Sequence, residues 1–176
     1  GGIGYVEEFA SARLLRDAHL GSIWEGTGNI IALDAITRAI GRHHAEGALA
    51  ADLHARLQET PSLPAAYRDT LKNFVDRAIA FSQNVAAKAD NEADARRATS
   101  MLYHTASAVM MAWEGERVLE RRGDARRFLL SKLVVDHHLS PRDPFSAAGN
   151  DEGAIADMLL GDAPVSRESA AAALSA

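Results

Sequence analysis

The sequence predicts an all-α protein, an antiparallel helical bundle. Apolar residues recur at spacings of three and four along most of the 176 residues, which is the period of one buried helix face. Alanine is frequent and proline occurs only 5 times, a composition that favours helices. No segment shows the alternation of apolar and polar residues that is typical of a half-buried strand. Together these observations predict one layer type, helix packed on helix.

The amino-terminal part is predicted to hold three helices. The first covers residues 6–19 and ends before Gly21, because glycine commonly follows a helix. The second covers about 28–40, with Gly41 weakening its end, and the third covers 45–59. The buried faces of the second and third are predicted to carry Ile30, Leu33, Ile36 or Thr37, Ile40, Leu49, Leu53 and Leu57. Pro61 and Pro64 then break the chain before the next helix.

Two long helices are predicted next, over 65–89 and 92–122, joined by a polar turn at 90–94. Their apolar stripes contain Leu71, Phe74, Val75, Ala78, Phe81 or Ser82, Val85, Met101, Leu102, Thr105, Ala108, Val109, Ala112 and Leu119. Asp124 is predicted to cap a helix to about residue 139, and a short helix follows over 152–160. The interpretation is one bundle domain over 1–162 and a flexible tail over 163–176.

Composition excludes several classes of function. The net charge of −5 argues against broad non-specific binding to nucleic acid. The absence of cysteine excludes disulfides and thiolate metal sites, and it fits a reducing cytoplasm. No apolar run approaches the roughly 20 residues of a membrane-spanning helix, so no membrane partner is expected.

Glu25 is the candidate catalytic residue. It lies in a short apolar and glycine-containing loop directly after Trp24. Partial desolvation beside an indole raises the proton affinity of a carboxylate, and such a group can act as a general base. The alternative is structural, because Thr27 can cap the helix that follows and an acid favours the positive end of a helix dipole.

The candidate binding residues flank this loop. Gly1, Gly2 and Gly4 lack a Cβ atom and permit close approach of the backbone to a phosphate or ribose, although they also suit an ordinary turn. Thr27 and Asn29 open a helix whose free N–H groups suit phosphate or polar cofactor atoms. On residue type alone, Trp24 suits a loop anchor packed on the bundle.

The remaining charged groups favour structural interpretations. Arg13 and Arg16 lie on one helix face with acids nearby, as in a salt-bridged surface. The pairs His43-His44 and His137-His138 do not predict a metal site, since adjacent helical side chains point about 100° apart. Two basic groups are either solvated helix faces or phosphate contacts: Arg121, Arg122, Arg126, Arg127 and Lys132, and Arg38 with Arg42.

Three motifs in order and spacing resemble the carboxy-terminal signature of acyl-CoA dehydrogenases. They are Gly1-Gly2-Ile3-Gly4-Tyr5, Arg13-Leu14-Leu15-Arg16-Asp17 and Ile23-Trp24-Glu25-Gly26-Thr27-Gly28-Asn29-Ile30. The resemblance covers about the first 40 residues, and the tryptophan and the Gly28-Asn29 pair are most similar to the AidB-type branch. Because the family motif starts at residue 1, the chain is expected to be a carboxy-terminal piece of a longer flavoprotein.

The resemblance implies a cofactor, a substrate and a role for each candidate residue. The cofactor is FAD, the substrate is an acyl-CoA thioester, and Glu25 removes the proton alpha to the thioester while a hydride passes from the beta carbon to the flavin. Gly1, Gly2, Trp24, Thr27 and Asn29 are then the cofactor-binding residues, with the glycine run serving a neighbouring subunit.

The resemblance also implies partners. These are further copies of the chain, as dimer or tetramer, and an electron-accepting flavoprotein. The AidB-type branch leaves a second interpretation open, an alkylation-response scaffold with little dehydrogenase turnover. That branch adds DNA as a partner to consider, and the acidic total charge argues against DNA for this chain.

Overall fold

The computed structural model describes residues 2–24, 27–88, 90, 92–140, 145 and 150–175, and all regular structure in them is helical. The predicted all-α class is therefore confirmed. The elements are α1 Gly2–Tyr5, α2 Ala10–Leu20, α3 Gly28–Asp34 continued by a π-helical segment π1 Ala35–Ile40, α4 Ala45–Gln58, α5 Ala65–Ala86, α6 Glu92–Arg122, α7 Arg126–Val134 continued by π2 Val135–Leu139, α8 Asn150–Leu160 and α9 Arg167–Ser175.

The long helices α5 and α6 pack against each other at the centre of the bundle, as predicted. The predicted stripe of α5 is buried at Leu71, Val75, Ala78 and Val85. The sequence left Phe81 and Ser82 as alternatives for the buried face of α5. The structure buries Ser82 and leaves Phe81 half-buried. Burial costs the Ser82 hydroxyl little, because it donates a hydrogen bond to the Ile79 carbonyl at 2.8 Å.

Helices α4 and α7 complete the main core on either side of this pair. Leu53 and Leu57 of α4 and Phe128 and Leu129 of α7 are buried in one cluster with the centres of α5 and α6. The approach of α7 to α6 depends on Gly115, since a Cβ atom there would lie 2.6 Å from Phe128 Cδ1. Small residues therefore set the spacing between these two helices.

Two hydrogen-bonded groups inside the core link different elements. The Tyr67 hydroxyl lies 3.0 Å from Ser131 Oγ, which donates to the Ala108 carbonyl at 2.8 Å and so links α5, α7 and α6. The buried Glu116 carboxylate accepts a 3.0 Å hydrogen bond from the Ser62 N–H in the loop before α5. Burial raises the pKa of Tyr67, so this hydroxyl stays protonated.

Trp113 ties the end of α4 to α6 at the surface. Its indole N–H donates to Glu59 at 2.8 Å, and the guanidinium groups of Arg56 and Arg117 lie over the ring at 4.3 and 3.6 Å from its centroid. The hydrogen bonds from Trp113 and Arg117 lower the pKa of Glu59. The arrangement combines cation–π contacts with a charge-assisted hydrogen bond.

The carboxy-terminal segment corrects the prediction of a flexible tail over 163–176. The described part forms α9, and Val165, Ala170 and Leu174 are buried against the bundle. Backbone pairing holds the segment in place, because the Ala125 N–H donates to the Val165 carbonyl at 2.8 Å. The cap position of α7 is Ala125, so the prediction of Asp124 as the cap is wrong by one residue. Asp124 Oδ1 instead accepts from the N–H groups of Arg126 and Val165 and so joins the start of α7 to the segment.

The amino-terminal helix is shorter than predicted. Helix α2 starts at Ala10 instead of residue 6, with α1 as a separate turn before it, and these two helices pack mainly against each other. Large apolar side chains on and after them are more than half exposed: Ile3, Tyr5, Leu14, Leu15, Ile23, Trp24, Ile30 and Ile31. In the described part of the chain, no helix is both long and apolar enough to cross a membrane.

Candidate functional site

The candidate site is built around the start of α3, which packs against α6. Thr27 occupies the cap position with an extended backbone (φ −69°, ψ 158°), and its carbonyl accepts from the Ile31 N–H at 3.1 Å. The Thr27 hydroxyl makes no capping hydrogen bond, so the predicted side-chain cap is absent. The position of the cap was therefore predicted correctly, but the hydrogen bond predicted from the Thr27 side chain was not found.

Arg96 reaches this helix start from α6. Its Nη1 donates to Asn29 Oδ1 at 2.9 Å, although 67 residues separate the two in sequence. A Cβ atom at Gly28 would lie 3.3 Å from the same Nη1, so the glycine leaves room for the guanidinium. The structure thus brings a fixed positive charge to the two motif residues that distinguish the loop, Gly28 and Asn29.

An open cleft of about 250 Å³ adjoins the Arg96 side chain. It is lined by Gly28, Ala32, Arg96, Thr99, Ser100 and Tyr103. The Tyr103 ring is 67% exposed. The Thr99 hydroxyl donates to the Ala95 carbonyl at 3.0 Å, which leaves the guanidinium and the Ser100 hydroxyl as donors toward the cleft. Together with the exposed aromatic ring, these groups suit an anionic group that carries a planar ring.

Two of the predicted site residues, Gly1 and Glu25, lie outside the described residues. Trp24 is described and is 59% exposed, and its backbone N–H donates to the Leu20 carbonyl at 3.1 Å. Both interpretations of Trp24, cofactor contact and loop anchor, stay predictions. Gly2 lies in α1, where a Cβ atom would meet nothing within 4 Å.

The charged groups near the motifs are paired at the surface. Arg16 binds Glu7 through two hydrogen bonds of 2.6 and 2.9 Å, and Arg38 binds Asp34 at 2.6 Å through both of its contacts. These hydrogen bonds lower the pKa of Glu7 and of Asp34. The predicted salt-bridged surface at Arg16 is present, with Glu7 as partner.

The other basic group is largely engaged within the chain. Arg126 donates to the carbonyls of Gly161 and Ala163, Arg127 pairs with Glu114, and Lys132 pairs with Asp136. Among the described residues no group of three or more His, Cys, Asp or Glu side chains could hold a metal ion.

Arg96 is the site residue that sequence reasoning missed. It stands beside Arg97 just after the polar turn, and at that position it resembles any solvated cation of a first helical turn. No local signal connects it to Asn29, because the contact arises only from the packing of α3 on α6.

Comparison with known proteins supplies the family context. "Acyl-CoA dehydrogenase family member 11" of Caenorhabditis elegans is 28% identical over 146 residues, which cover 82% of this chain and 24% of that protein. "Putative acyl-CoA dehydrogenase AidB" of Escherichia coli (strain K12) is 56% identical over 36 residues, 20% of this chain and 7% of that protein. The chain therefore spans about a quarter of the length of the first relative.

No family model matches the chain. No solved structure matches it either. The two curated similarities, together with the all-helical fold, support a relationship of this chain to the acyl-CoA dehydrogenase family.

Proposed function

We propose that this chain is the carboxy-terminal helical part of an FAD-dependent acyl-CoA dehydrogenase. The observation that carries the proposal is the similarity, over 82% of the chain, to a protein named as an acyl-CoA dehydrogenase. A second protein named so matches a shorter segment at higher identity. The ordered motifs at residues 1–5, 13–17 and 23–30 agree with it. The bundle fold is compatible with a domain that supports a site built jointly with other parts of the protein.

Arg96 and the cleft beside it fit a dinucleotide. The guanidinium and the Ser100 hydroxyl are donors of the kind that hold phosphate oxygens, and the Tyr103 ring offers a stacking face. We assign Thr27 and Asn29 to the same group of contacts, with Asn29 also fixing the Arg96 side chain. Gly1, Gly2 and Trp24 are proposed as further cofactor contacts.

Glu25 is proposed as the general base. Its carboxylate takes the proton from the carbon alpha to the thioester, and that proton is acidic because the thioester carbonyl stabilises the developing negative charge. When bound, FAD supplies the acceptor for the hydride that leaves the beta carbon.

The second candidate function is an AidB-like scaffold with little dehydrogenase turnover, either alone or associated with DNA. The 56% identity over 36 residues to "Putative acyl-CoA dehydrogenase AidB" supports this second candidate. Further proposals that rest on the family are assembly as a dimer or tetramer, electron transfer to a second flavoprotein and a cytoplasmic location.

The test is Glu25→Gln in the protein that carries this chain. Glutamine keeps the size of the side chain and cannot accept the proton, so flavin reduction by an acyl-CoA should slow by about 10²–10⁴-fold. Flavin content should stay near that of the parent, because the proposed cofactor contacts are other residues. Stopped-flow absorbance of the bound flavin measures both.

Glu8→Gln is the matched control, since it removes one carboxylate from the exposed surface of the same segment. It should reduce its flavin at the parent rate. Parent-like reduction in Glu25→Gln would remove Glu25 from the base role. Flavin binding without reduction by any acyl-CoA in the parent would favour the scaffold over the enzyme.

A further inference from the structure

A second pocket lies on the bundle away from the motif loop. It is about 330 Å³ in volume and is formed where π1 and α5 end and α4 begins. Ile40, Gly41, His44, Glu46, Gln83, Ala86 and Ala87 line it. This size is at the lower end of ligand pockets, roughly 300–1,000 Å³, and suits a small molecule.

Glu46 is the unusual member of the lining. It is only 6% exposed, and its Oε2 atom has no hydrogen-bond partner in the described part of the chain. Its Oε1 atom accepts from Gln83 Nε2 at 3.1 Å and lies 3.9 Å from His44 Nδ1. A buried carboxylate oxygen without a partner is costly, so native proteins rarely leave one unexplained.

Glu46 lies in the first turn of α4, whose amino end favours a carboxylate, and the carboxyl ends of two other helices also reach the pocket. The carboxyl ends of π1 and α5 reach the pocket at Gly41 and Ala86, and helix carboxyl ends carry partial negative charge and free carbonyl groups. The residues that line the pocket include no lysine or arginine, and Lys88, which directly follows Ala87, binds Asp94 through its Nζ atom at 3.1 Å. The pocket therefore favours a cation.

The backbone around the pocket is held in an uncommon conformation. His44 caps α4 in the left-handed region (φ 51°, ψ 37°), which few residues other than glycine adopt. This conformation turns the chain from π1 into α4 and places Glu46 in the first turn of α4 beside the pocket. Strained residues of this kind gather at ligand sites.

We propose that this pocket binds a small primary alkylammonium ion, with Glu46 as its counter-ion. One carboxylate and one amide are too few oxygen ligands for Ca²⁺ or Mg²⁺, which take six or more. Gln83 already occupies Oε1, so a single N–H donor to Oε2 fits better than the paired donors of a guanidinium. Ile40, Ala86 and Ala87 supply an apolar wall for the alkyl chain.

The proposal is tested with n-butylammonium on the full chain at pH 8. Calorimetry should show saturable binding, and the amide signals of His44, Ala86 and Ala87 should shift in a ¹H–¹⁵N NMR titration. Glu46→Gln should weaken binding by about tenfold to a hundredfold, the range for a charge-assisted hydrogen bond. Tetramethylammonium has the charge and no N–H donor, so it should not saturate the site.

Two further variants make the result specific. Glu120→Gln removes an equal charge from an exposed position on α6 and should bind like the parent. Ala87→Leu fills the mouth of the pocket without touching the carboxylate and should abolish binding even if Glu46→Gln fails to fold.

The proposal is independent of the flavin and of the acyl-CoA chemistry. Absence of saturable binding in the folded parent would overturn it. Equal binding of both ammonium ions, or parent-like binding in a folded Glu46→Gln chain, would overturn it as well.

Discussion

At the residue scale, two histidines from different elements lie face to face. The imidazole rings of His104 on α6 and His138 on π2 are parallel within 2°, with centroids 4.0 Å apart, and Tyr103 meets His104 edge-on. Burial lowers the pKa of His104, and the neighbouring His138 lowers it further. The folded chain therefore binds a proton at His104 less readily than the unfolded chain does.

This asymmetry predicts a loss of stability in mild acid. The contribution of His104 is fully present above the ordinary pKa of 6.5, and it is lost as the pH falls from there through the lower pKa of the folded chain. Urea unfolding from pH 8 to pH 5 should show the decline. It should be smaller in His104→Gln, which has no proton to take up at this position.

His138→Phe separates the two causes. It keeps a ring in the stack and removes the charge, so NMR should find the pKa of His104 above its value in the parent and still below 6.5. A parent His104 that titrates at or above 6.5 would contradict the interpretation.

At the element scale, Gly115 decides how closely α6 and α7 approach. Gly115→Ala should lower the free energy of unfolding by about 1–3 kcal/mol, because the new methyl group would overlap the buried Phe128 ring. The destabilisation from this overlap outweighs the stabilisation of about 1 kcal/mol that alanine brings in place of glycine in a helix interior. Chemical denaturation of the two chains measures the difference.

Gly47→Ala is the control for this prediction. Gly47 lies in α4 with nothing within 4 Å of a new Cβ atom, so only the helix preference acts and stability should rise by up to about 1 kcal/mol. Equal effects of the two substitutions would show that packing at Phe128 is loose.

The helices differ in how far the sequence predicts them. The bounds of α4 and α6 and the buried stripe of α5 follow from helical periodicity, since each helix buries one face on a neighbour. The docking of α9 could not be predicted, because only Ala170 and Leu174 of this short helix are buried, which is too few to form a stripe. Its docking also depends on Asp124, 41 residues from Val165.

The functional roles of Arg96 and Glu46 could not be predicted from the sequence for a related reason. Arg96 binds Asn29 across 67 residues, and Glu46 occupies a first helical turn, where acids are common for dipole reasons alone. Their significance depends on burial and on a partner distant in sequence, and neither is encoded in local spacing. The loop motif itself was visible because its residues are contiguous.

At the scale of the whole molecule, the first 31 residues present a broad apolar surface. Exposed patches of this kind mark interfaces, so the chain by itself should associate with other copies at micromolar concentration. Leu14→Glu combined with Leu15→Glu should shift the light-scattering mass toward that of a monomer, because both leucines on α2 are more than half exposed.

Leu160→Glu is the matched control, since Leu160 is also exposed and lies on α8, outside this surface. It should leave the assembly as in the parent. A parent chain that is strictly monomeric would contradict the prediction.

The docking of the carboxy-terminal segment through Asp124 has a consequence for cooperativity. The start of α7 and the residues before α9 share one carboxylate and one backbone pair, so neither can open without exposing donors of the other. Local fraying at the end of the chain is thereby coupled to the interior. We therefore expect hydrogen exchange to protect the amides of Ala125, Arg126 and Val165 to a similar degree, and the last helix to open together with α7.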